Sequence, residues 1–139
     1  MDVDQLLKAL DNEENGKLMN MTSEKVQKLN LDVLKELHLP RETLIKYMQK
    51  LKGYIYVEDV EDLKHGSFIR WVSIKDPEDL YLTNGGILSE IKVCDSGINV
   101  VCKNFAKRHF QISMDESLIF QKLSGQELVL LSALDHLSK

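Results

Sequence analysis

The sequence has few cysteines and no long apolar run, and each shortage excludes a class of protein. Its 139 residues contain two cysteines, Cys94 and Cys102, without the paired spacing of a disulfide framework or a zinc site. An apolar run such as Leu128 to Leu131 is far shorter than the stretch of about 18 residues that a membrane span needs. We therefore expect a protein of the cytoplasm or nucleus that is neither secreted nor embedded in a membrane.

Recognisable catalytic and cofactor motifs are also missing. The four histidines are dispersed, and none has a partner at the spacing of a metal-ligand motif. Gly85-Gly86 lacks the lysine and the following helix of a phosphate-binding loop, so a turn or bulge is the better interpretation. No serine lies in a nucleophile elbow. We expect no catalytic activity, no metal, no cofactor and no small-molecule substrate.

The charge of the chain is moderately acidic and uneven. Its 22 acidic and 18 basic residues give a net charge of -4, which argues against a surface that binds phosphate over its whole extent. From Glu24 to Lys52, however, basic residues outnumber acidic ones by seven to four. A modest positive face is expected on this segment.

Three apolar stripes with helical spacing predict three helices in the N-terminal third. The stripes consist of Val3, Leu6, Leu7 and Leu10, then Val26, Leu29, Val33, Leu34 and Leu37, and finally Leu44, Ile45, Met48 and Leu51. Thr22 or Ser23 can cap the second helix, which we expect to break once near Asn30. Pro40 fits the first turn of the third helix, and Gly53 ends that helix.

Beyond Gly53 the pattern changes to that of strands, in segments rich in aromatic and β-branched residues. These segments cover residues 54–57, 67–74, 87–94, 98–105, 110–114 and 118–123. Asp95-Ser96-Gly97 predicts a tight hairpin, with Ser96-Gly97 as a two-residue loop. In that hairpin Ile91 and Val93 share a face with Ile98, Val100 and Cys102, whereas Lys92, Cys94 and Asn99 share the other, so the two cysteines point apart.

The strand segments and the last helix together predict an α+β fold. About five short antiparallel strands should curl into a small β-barrel or a strongly bent sheet, and we favour a barrel of SH3-like or OB-like type. Ser124 and Glu127 form a capping box at the start of a C-terminal helix. We expect a helical unit at residues 1–53 and a barrel-like unit with its helix at 54–139, within one compact domain.

Residues 31–52 resemble a helix-turn-helix, with a short helix, a tight turn and a second helix from Arg41. Leu39, Leu44 and Leu51 match its core positions, whereas Leu34 and His38 replace the small residue and the glycine of that pattern. The resemblance implies that Arg41, Glu42, Thr43, Lys46 and Lys50 face DNA, with Lys52 close by in the same basic stretch. The alternative is an ordinary helical hairpin with a solvated charged face.

Over most of its length the chain also resembles an uncharacterised group of proteins from large DNA viruses of amoebae. The residues that carry this likeness are Tyr54 to Val57, Gly66 to Trp71, Gly85-Gly86 and Phe120 to Glu127. The resemblance implies a virus-encoded protein that acts inside an infected host cell. It implies no activity, substrate or catalytic residue.

Two further segments are candidate binding surfaces. Arg70 and Trp71 are neighbours on a predicted strand and must face opposite ways, so an exposed Trp71 could stack on a base or anchor a partner; the alternative is a core tryptophan beside a solvated arginine. Lys103, Lys107 and Arg108 cluster near Phe105 in a composition that small barrels use at nucleic-acid loops. The alternative is a solvated loop whose positive electrostatic field is reduced by Asp115 and Glu116.

From these observations we expect a non-enzymatic interaction protein whose partner is another protein or a second copy of itself. The alternative is a nucleic-acid-binding accessory protein that uses Arg41, Lys46, Lys50 and Lys52, together with the loop at 103–109. The alternative predicts steeply salt-dependent binding.

Overall fold

A computed structural model describes residues 3–138, with the exception of the side chains of residues 13 and 14. The chain forms helices α1 (Val3–Asp11), α2 (Ser23–Lys35), α3 (Arg41–Lys50) and α4 (Gly125–Leu137), and strands β1 (Tyr54–Val57), β2 (Phe68–Ser73), β3 (Gly86–Cys94), β4 (Gly97–Lys103), β5 (His109–Ser113) and β6 (Ser117–Lys122). Short 3-10 helices cover Glu13–Asn20, Val60–Asp62 and Met114–Glu116. The predicted α+β class is confirmed.

The six strands form one antiparallel sheet in the order β1-β6-β2-β3-β4-β5. The sheet is open, because β1 and β5 lie at its two edges and do not pair with each other. Of the two forms expected for the sheet, the bent sheet is therefore observed, and the favoured closure into a barrel is not. All six segments predicted as strands form strands of this sheet, although the barrel or bent sheet was expected to have about five.

The sheet is nevertheless strongly curved. Trp71 on β2 and Phe110 on β5 have ring centroids 6.3 Å apart, although β3 and β4 lie between their strands. In a flat sheet three strand spacings amount to about 14 Å. The face that carries both rings is therefore concave, and its core includes Ile69, Leu88 and Val100.

The convex face is covered over half of its width. There α2 and α3 pack on β1, β6 and β2, where Leu34, Tyr47 and Leu51 meet Val72 and Phe120. On β3, β4 and β5 no helix of the described chain packs on the convex face. A third apolar cluster joins α1 and α2 to α4 and the end of the sheet.

Asn30 shows how α2 holds the edge strand β1. Its side-chain amide donates to the carbonyl oxygen of Tyr54 and accepts from the backbone N–H of Tyr56, both at 2.9 Å. The residue is buried, and α2 runs through it without the expected break. Asn30 therefore makes the hydrogen bonds to the outer edge of β1 that a neighbouring strand would otherwise make.

The predicted ends of several elements agree with the structure. Thr22 caps α2 through its hydroxyl, and Ser124 and Glu127 form the capping box of α4. The β3–β4 loop consists of Asp95 and Ser96, one residue before the expected position. This change moves the cross-strand partner of each residue by two positions, and side chains two apart lie on the same face of a strand. Every side chain of the hairpin therefore keeps its predicted face, with Cys102 buried and Cys94 exposed.

Some predicted core positions are exposed. Ile45 is 47% exposed and lines an apolar groove of about 660 Å³ between α2, α3 and α4, while Tyr47 takes its place in the core. Val3, Leu7 and Leu10 of α1 are likewise exposed, because this helix buries Ala9 against α4. Within residues 3–138, no helix has the length and apolarity needed to cross a bilayer.

Candidate functional site

Basic residues outnumber acidic ones on the sheet, although the whole chain is acidic. The six strands contain a single acidic residue, Glu90, against the four basic residues Arg70, Lys92, Lys103 and Lys122. Strand alternation and the pairing register place all four basic side chains on the convex face. The sheet therefore presents a positive surface on an acidic protein.

An exposed aromatic ring lies on the same face. Phe105, just after β4, is 87% exposed, and its ring stacks on that of Phe68 with centroids 5.9 Å apart and an interplanar angle of 24°. Phe68 is half-buried and stands on the convex face of β2. The outer face of Phe105 is left open to solvent.

Cross-strand pairing surrounds these rings with cations. Phe68 pairs with Ile87, Ile87 with Lys103, and Lys103 with His109, which makes one row across four strands. On the other side, Lys122 follows Gln121, the partner of Ile69, and so flanks Phe68. We call Phe68, Arg70, Ile87, Lys103, Phe105, Lys107, Arg108 and Lys122 the convex patch.

Gly85 and Gly86 let the backbone approach this patch closely. A Cβ atom on Gly85 would lie 2.9 Å from side-chain atoms of both Phe68 and Arg70, and one on Gly86 would lie 2.9 Å from the carbonyl oxygen of Lys103. Gly85 also has a φ of +88°, which disfavours any side chain. The two glycines thus let the start of β3 pass closely between β2 and β4 beneath the patch.

Arg70 is held in a fixed position on the convex face. Its Nε donates to the carbonyl oxygen of Thr83 at 2.9 Å. Burial raises the pKa of the neighbouring Tyr54 hydroxyl, and the positive charge of Arg70 opposes that shift. The guanidinium therefore lies at the inner border of the patch, with its orientation set by the protein.

The loop between β4 and β5 is closed by its own hydrogen bonds. The side chain of Asn104 accepts from the N–H of Arg108, and the backbone N–H of Asn104 donates to the carbonyl oxygen of Arg108, both at 3.0 Å. Lys107 has a φ of +61°, a conformation usually left to glycine. The loop presents Phe105, Lys107 and Arg108 as an ordered, exposed turn.

The acidic residues expected to reduce the field of this loop lie elsewhere. A Cβ on Gly97 would approach Oδ2 of Asp115 to 3.0 Å, and Glu116 pairs with Lys75 at 3.1 Å. Gly97 and Lys103 are the two ends of β4, which separates them by about 20 Å at strand rise. Because this exceeds two Debye lengths at physiological salt, the two carboxylates barely affect the loop.

The structure brings together only some of the predicted site residues. Arg70 joins Lys103, Lys107 and Arg108 on the convex patch, whereas Trp71 is 6% exposed and belongs to the concave core. The ring of Trp71 therefore has no free surface for a base or a partner.

The basic residues of the third helix form a separate surface. Arg41, Lys46, Lys50 and Lys52 are exposed on or just after α3. His38, in the turn before α3, has a φ of +54°, so it adopts the left-handed conformation for which the helix-turn-helix pattern uses glycine.

Phe68, Ile87 and Lys122 were not predicted as site residues. Each belongs to a different strand, and only the pairing of β6 with β2 and of β2 with β3 brings them to Phe105. The alternation of these strands indicates which face each side chain occupies, but not which strands are neighbours.

A cavity of about 550 Å³ with a mixed polar and apolar lining lies on the other side of the molecule, where its polar groups hold the fold together. Gln121 is buried there and bonds to Lys64, Ser67 and Asp62. Glu127 pairs with Lys64 at 3.2 Å while it also caps α4. The side-chain amide of Gln121 and the carboxylate of Glu127 are thus engaged in structural bonds.

Among residues 3–138, no group of three or more histidine, cysteine, aspartate or glutamate side chains is arranged to hold a metal ion. Comparison of the chain with family models, curated proteins and solved structures gives no match.

Proposed function

We propose that this protein is a non-enzymatic binder of single-stranded nucleic acid and that the convex patch is its binding surface. The observation that carries the proposal is the stacked pair Phe68–Phe105, whose outer ring is open to solvent among basic side chains. Proteins that bind single strands combine a positively charged surface with aromatic rings on which bases stack. The convex patch has both properties.

The expected ligand is unpaired because a base can stack on Phe105 only if its own face is free. Stacking depends little on base identity, since every base has a π-face. Lys103, Lys107 and Arg108 would then contact the phosphates on either side. Binding with little sequence preference and strong salt dependence follows.

The geometry favours this function over the protein-partner hypothesis for the convex patch. An interface with another protein is expected to have an apolar, well-packed centre with few charges. Here basic side chains lie around the exposed ring, and the one acidic strand residue, Glu90, stands on the same face opposite Val101, in the row next to that of Lys103. The arrangement fits a polyanion better than a folded protein surface.

Fluorescence-anisotropy titration of labelled oligonucleotides tests this function. Single-stranded oligomers of about 15 nucleotides are long enough to cover one site of this kind. With three phosphate contacts, affinity should fall about 20-fold between 50 and 200 mM salt. A duplex of the same length should bind more weakly. Absence of binding at the lower salt, or equal binding of the duplex, would contradict the proposal.

A further inference from the structure

The row of cross-strand neighbours through the convex patch ends at a histidine. His109 is the first residue of β5 and lies directly opposite Lys103 of β4. Residues that lie opposite each other in an antiparallel pair share a face and have Cβ atoms about 5 Å apart. His109 is exposed, and no strand of the described chain pairs with the outer side of β5. Its imidazole is therefore open to a ligand that reaches the convex patch.

The charged side chains that face His109 within the described chain are basic. Lys103 faces it from β4, the strand with which β5 pairs. Lys107 and Arg108 precede it in the ordered loop, together with the exposed ring of Phe105. A positive charge on His109 would therefore extend the basic surface of the convex patch to the edge of the sheet.

The carboxylates nearest to this end of β5 along the sheet and the chain lie too far from His109 to pair with it. Glu90 stands on the convex face two strands away and in the next row, which places it about 12 Å from His109. Asp115 and Glu116 follow β5, whose length separates them from His109 by about 14 Å or more. Because these distances exceed the Debye length at physiological salt, the three carboxylates do little to offset a positive charge on His109.

We propose that His109 is a proton-dependent phosphate contact of the convex patch, so that binding of single-stranded nucleic acid strengthens as the pH falls. This inference rests on the proposed function. A histidine side chain changes its charge between about pH 8 and pH 5. As an imidazolium, His109 adds a fourth cation to Lys103, Lys107 and Arg108, and the neutral ring does not.

The sign of the pH dependence follows from charge. A phosphate group beside His109 interacts favourably with the imidazolium and much less with the neutral ring, so the complex holds the proton more tightly than the free protein does. Linkage makes the effect reciprocal: because the ligand favours protonation, protonation favours the ligand by the same factor. Binding at intermediate pH therefore takes up a proton.

Anisotropy titrations at about pH 8 and about pH 5.5 test the proposal. The probe is a labelled single-stranded oligothymidylate, because its bases do not titrate in this range. Wild-type affinity should be about two- to fivefold higher at the lower pH, as expected for one exposed ion pair. The slope of log K against log salt should be steeper there by about 0.7. His109→Gln, which has no charge to gain, should lose both differences.

Two further variants separate this role from overall charge and from structure. His65→Gln removes the same titrating charge from an exposed turn beside the cavity on the other side of the molecule, so it should keep both differences. His109→Lys carries its charge at both pH values, and it should bind at pH 8 about as tightly as the wild-type protein does at pH 5.5. A merely structural role of the imidazole would not give this rescue.

The outcomes distinguish this inference from the proposed function. Wild-type binding that is equal at the two pH values, or a pH dependence that survives His109→Gln, would overturn the inference and leave the proposed function standing. Loss of the pH dependence in His65→Gln as well would assign it to overall charge and would equally overturn the inference. Absence of binding at both pH values would contradict the proposed function, and this inference with it.

Discussion

The ring of Phe105 rests on the ring of Phe68, and the pair stands at one end of a row of cross-strand neighbours that includes Lys103. The contact joins the loop after β4 to β2, two strands away in the sheet. Because the lower ring is half-buried and the upper one is nearly free, Phe105 is both positioned and accessible. This relationship is the basis of the predictions for binding.

Phe105→Ala should weaken binding of single strands by about 5- to 150-fold, since the loss of one base–aromatic stack costs about 1 to 3 kcal/mol. The melting temperature should stay nearly unchanged, because the side chain is largely exposed. Val93→Ala is the control: this residue is 82% exposed at the far end of β3. Anisotropy titrations and thermal melts measure both effects. Equal affinities of the two variants would contradict a stacking role.

Lys103→Gln should reduce the salt dependence of binding as well as the affinity. Removal of one phosphate contact lowers the slope of log K against log salt by about 0.7 for a single strand. Lys92→Gln is the matched control, because Lys92 is exposed on the same convex face but pairs with Asn99, towards the other end of β4. Titration at four salt concentrations gives the slopes. An unchanged slope for Lys103→Gln would remove this residue from the site.

Much of the local structure follows from the sequence. Hydrophobic spacing indicates the four helices and the strand segments, Ser124 and Glu127 identify the start of α4, and the alternation around Asp95 gives the faces of the hairpin. These features depend on residues that are close together in the chain. Local physical rules are sufficient for them.

The binding surface depends on contacts that local rules do not determine. The strand β6 inserts between β1 and β2 and so brings Lys122 to flank Phe68, and β1 and β5 remain as the two edges of the sheet. Asp115 is only a few residues from Arg108 in the chain, yet it lies near the opposite end of β4. Strand order and the register between distant strands are tertiary properties, and local rules applied to the sequence do not predict them.

Asn30→Ala should destabilise the fold by about 2 kcal/mol, because it leaves a part-buried carbonyl oxygen and a part-buried N–H of β1 without their partner. Gln27→Ala, at an exposed position of the same helix, should change the free energy of unfolding by less than about 0.5 kcal/mol. Urea denaturation measures both. A loss below about 1 kcal/mol for Asn30→Ala would show that water replaces the amide at this edge.

The two cysteines should differ in reactivity. Burial raises the pKa of the Cys102 thiol from 9.0 to about 11, whereas Cys94 is exposed. Ellman's reagent at pH 8 should therefore modify one thiol of the native protein and both after unfolding, and Cys94→Ser should abolish the native reaction. Rapid native labelling of Cys94→Ser would contradict burial of Cys102.

The same shift has a consequence for stability. The pKa of the Cys102 thiol is raised in the folded state, so the thiol ionises at lower pH in the unfolded chain. The free energy of unfolding therefore keeps its full value from this group below about pH 9 and falls as the pH rises towards 11. Chemical denaturation between these pH values should show a fall in the free energy of unfolding that Cys102→Ala reduces. A pH dependence identical in the two proteins would contradict this assignment.

The most direct test of the central claim is an NMR titration of the ¹⁵N-labelled protein, 139 residues long, with an unlabelled single-stranded oligonucleotide. If the oligonucleotide binds to the convex patch, the largest amide chemical-shift changes fall in residues 68–70, 85–87, 103–109 and 122. Shifts centred instead on residues 41–52, the basic third helix, would contradict the claim and favour the helix-turn-helix surface. A spectrum that does not change would contradict nucleic-acid binding altogether.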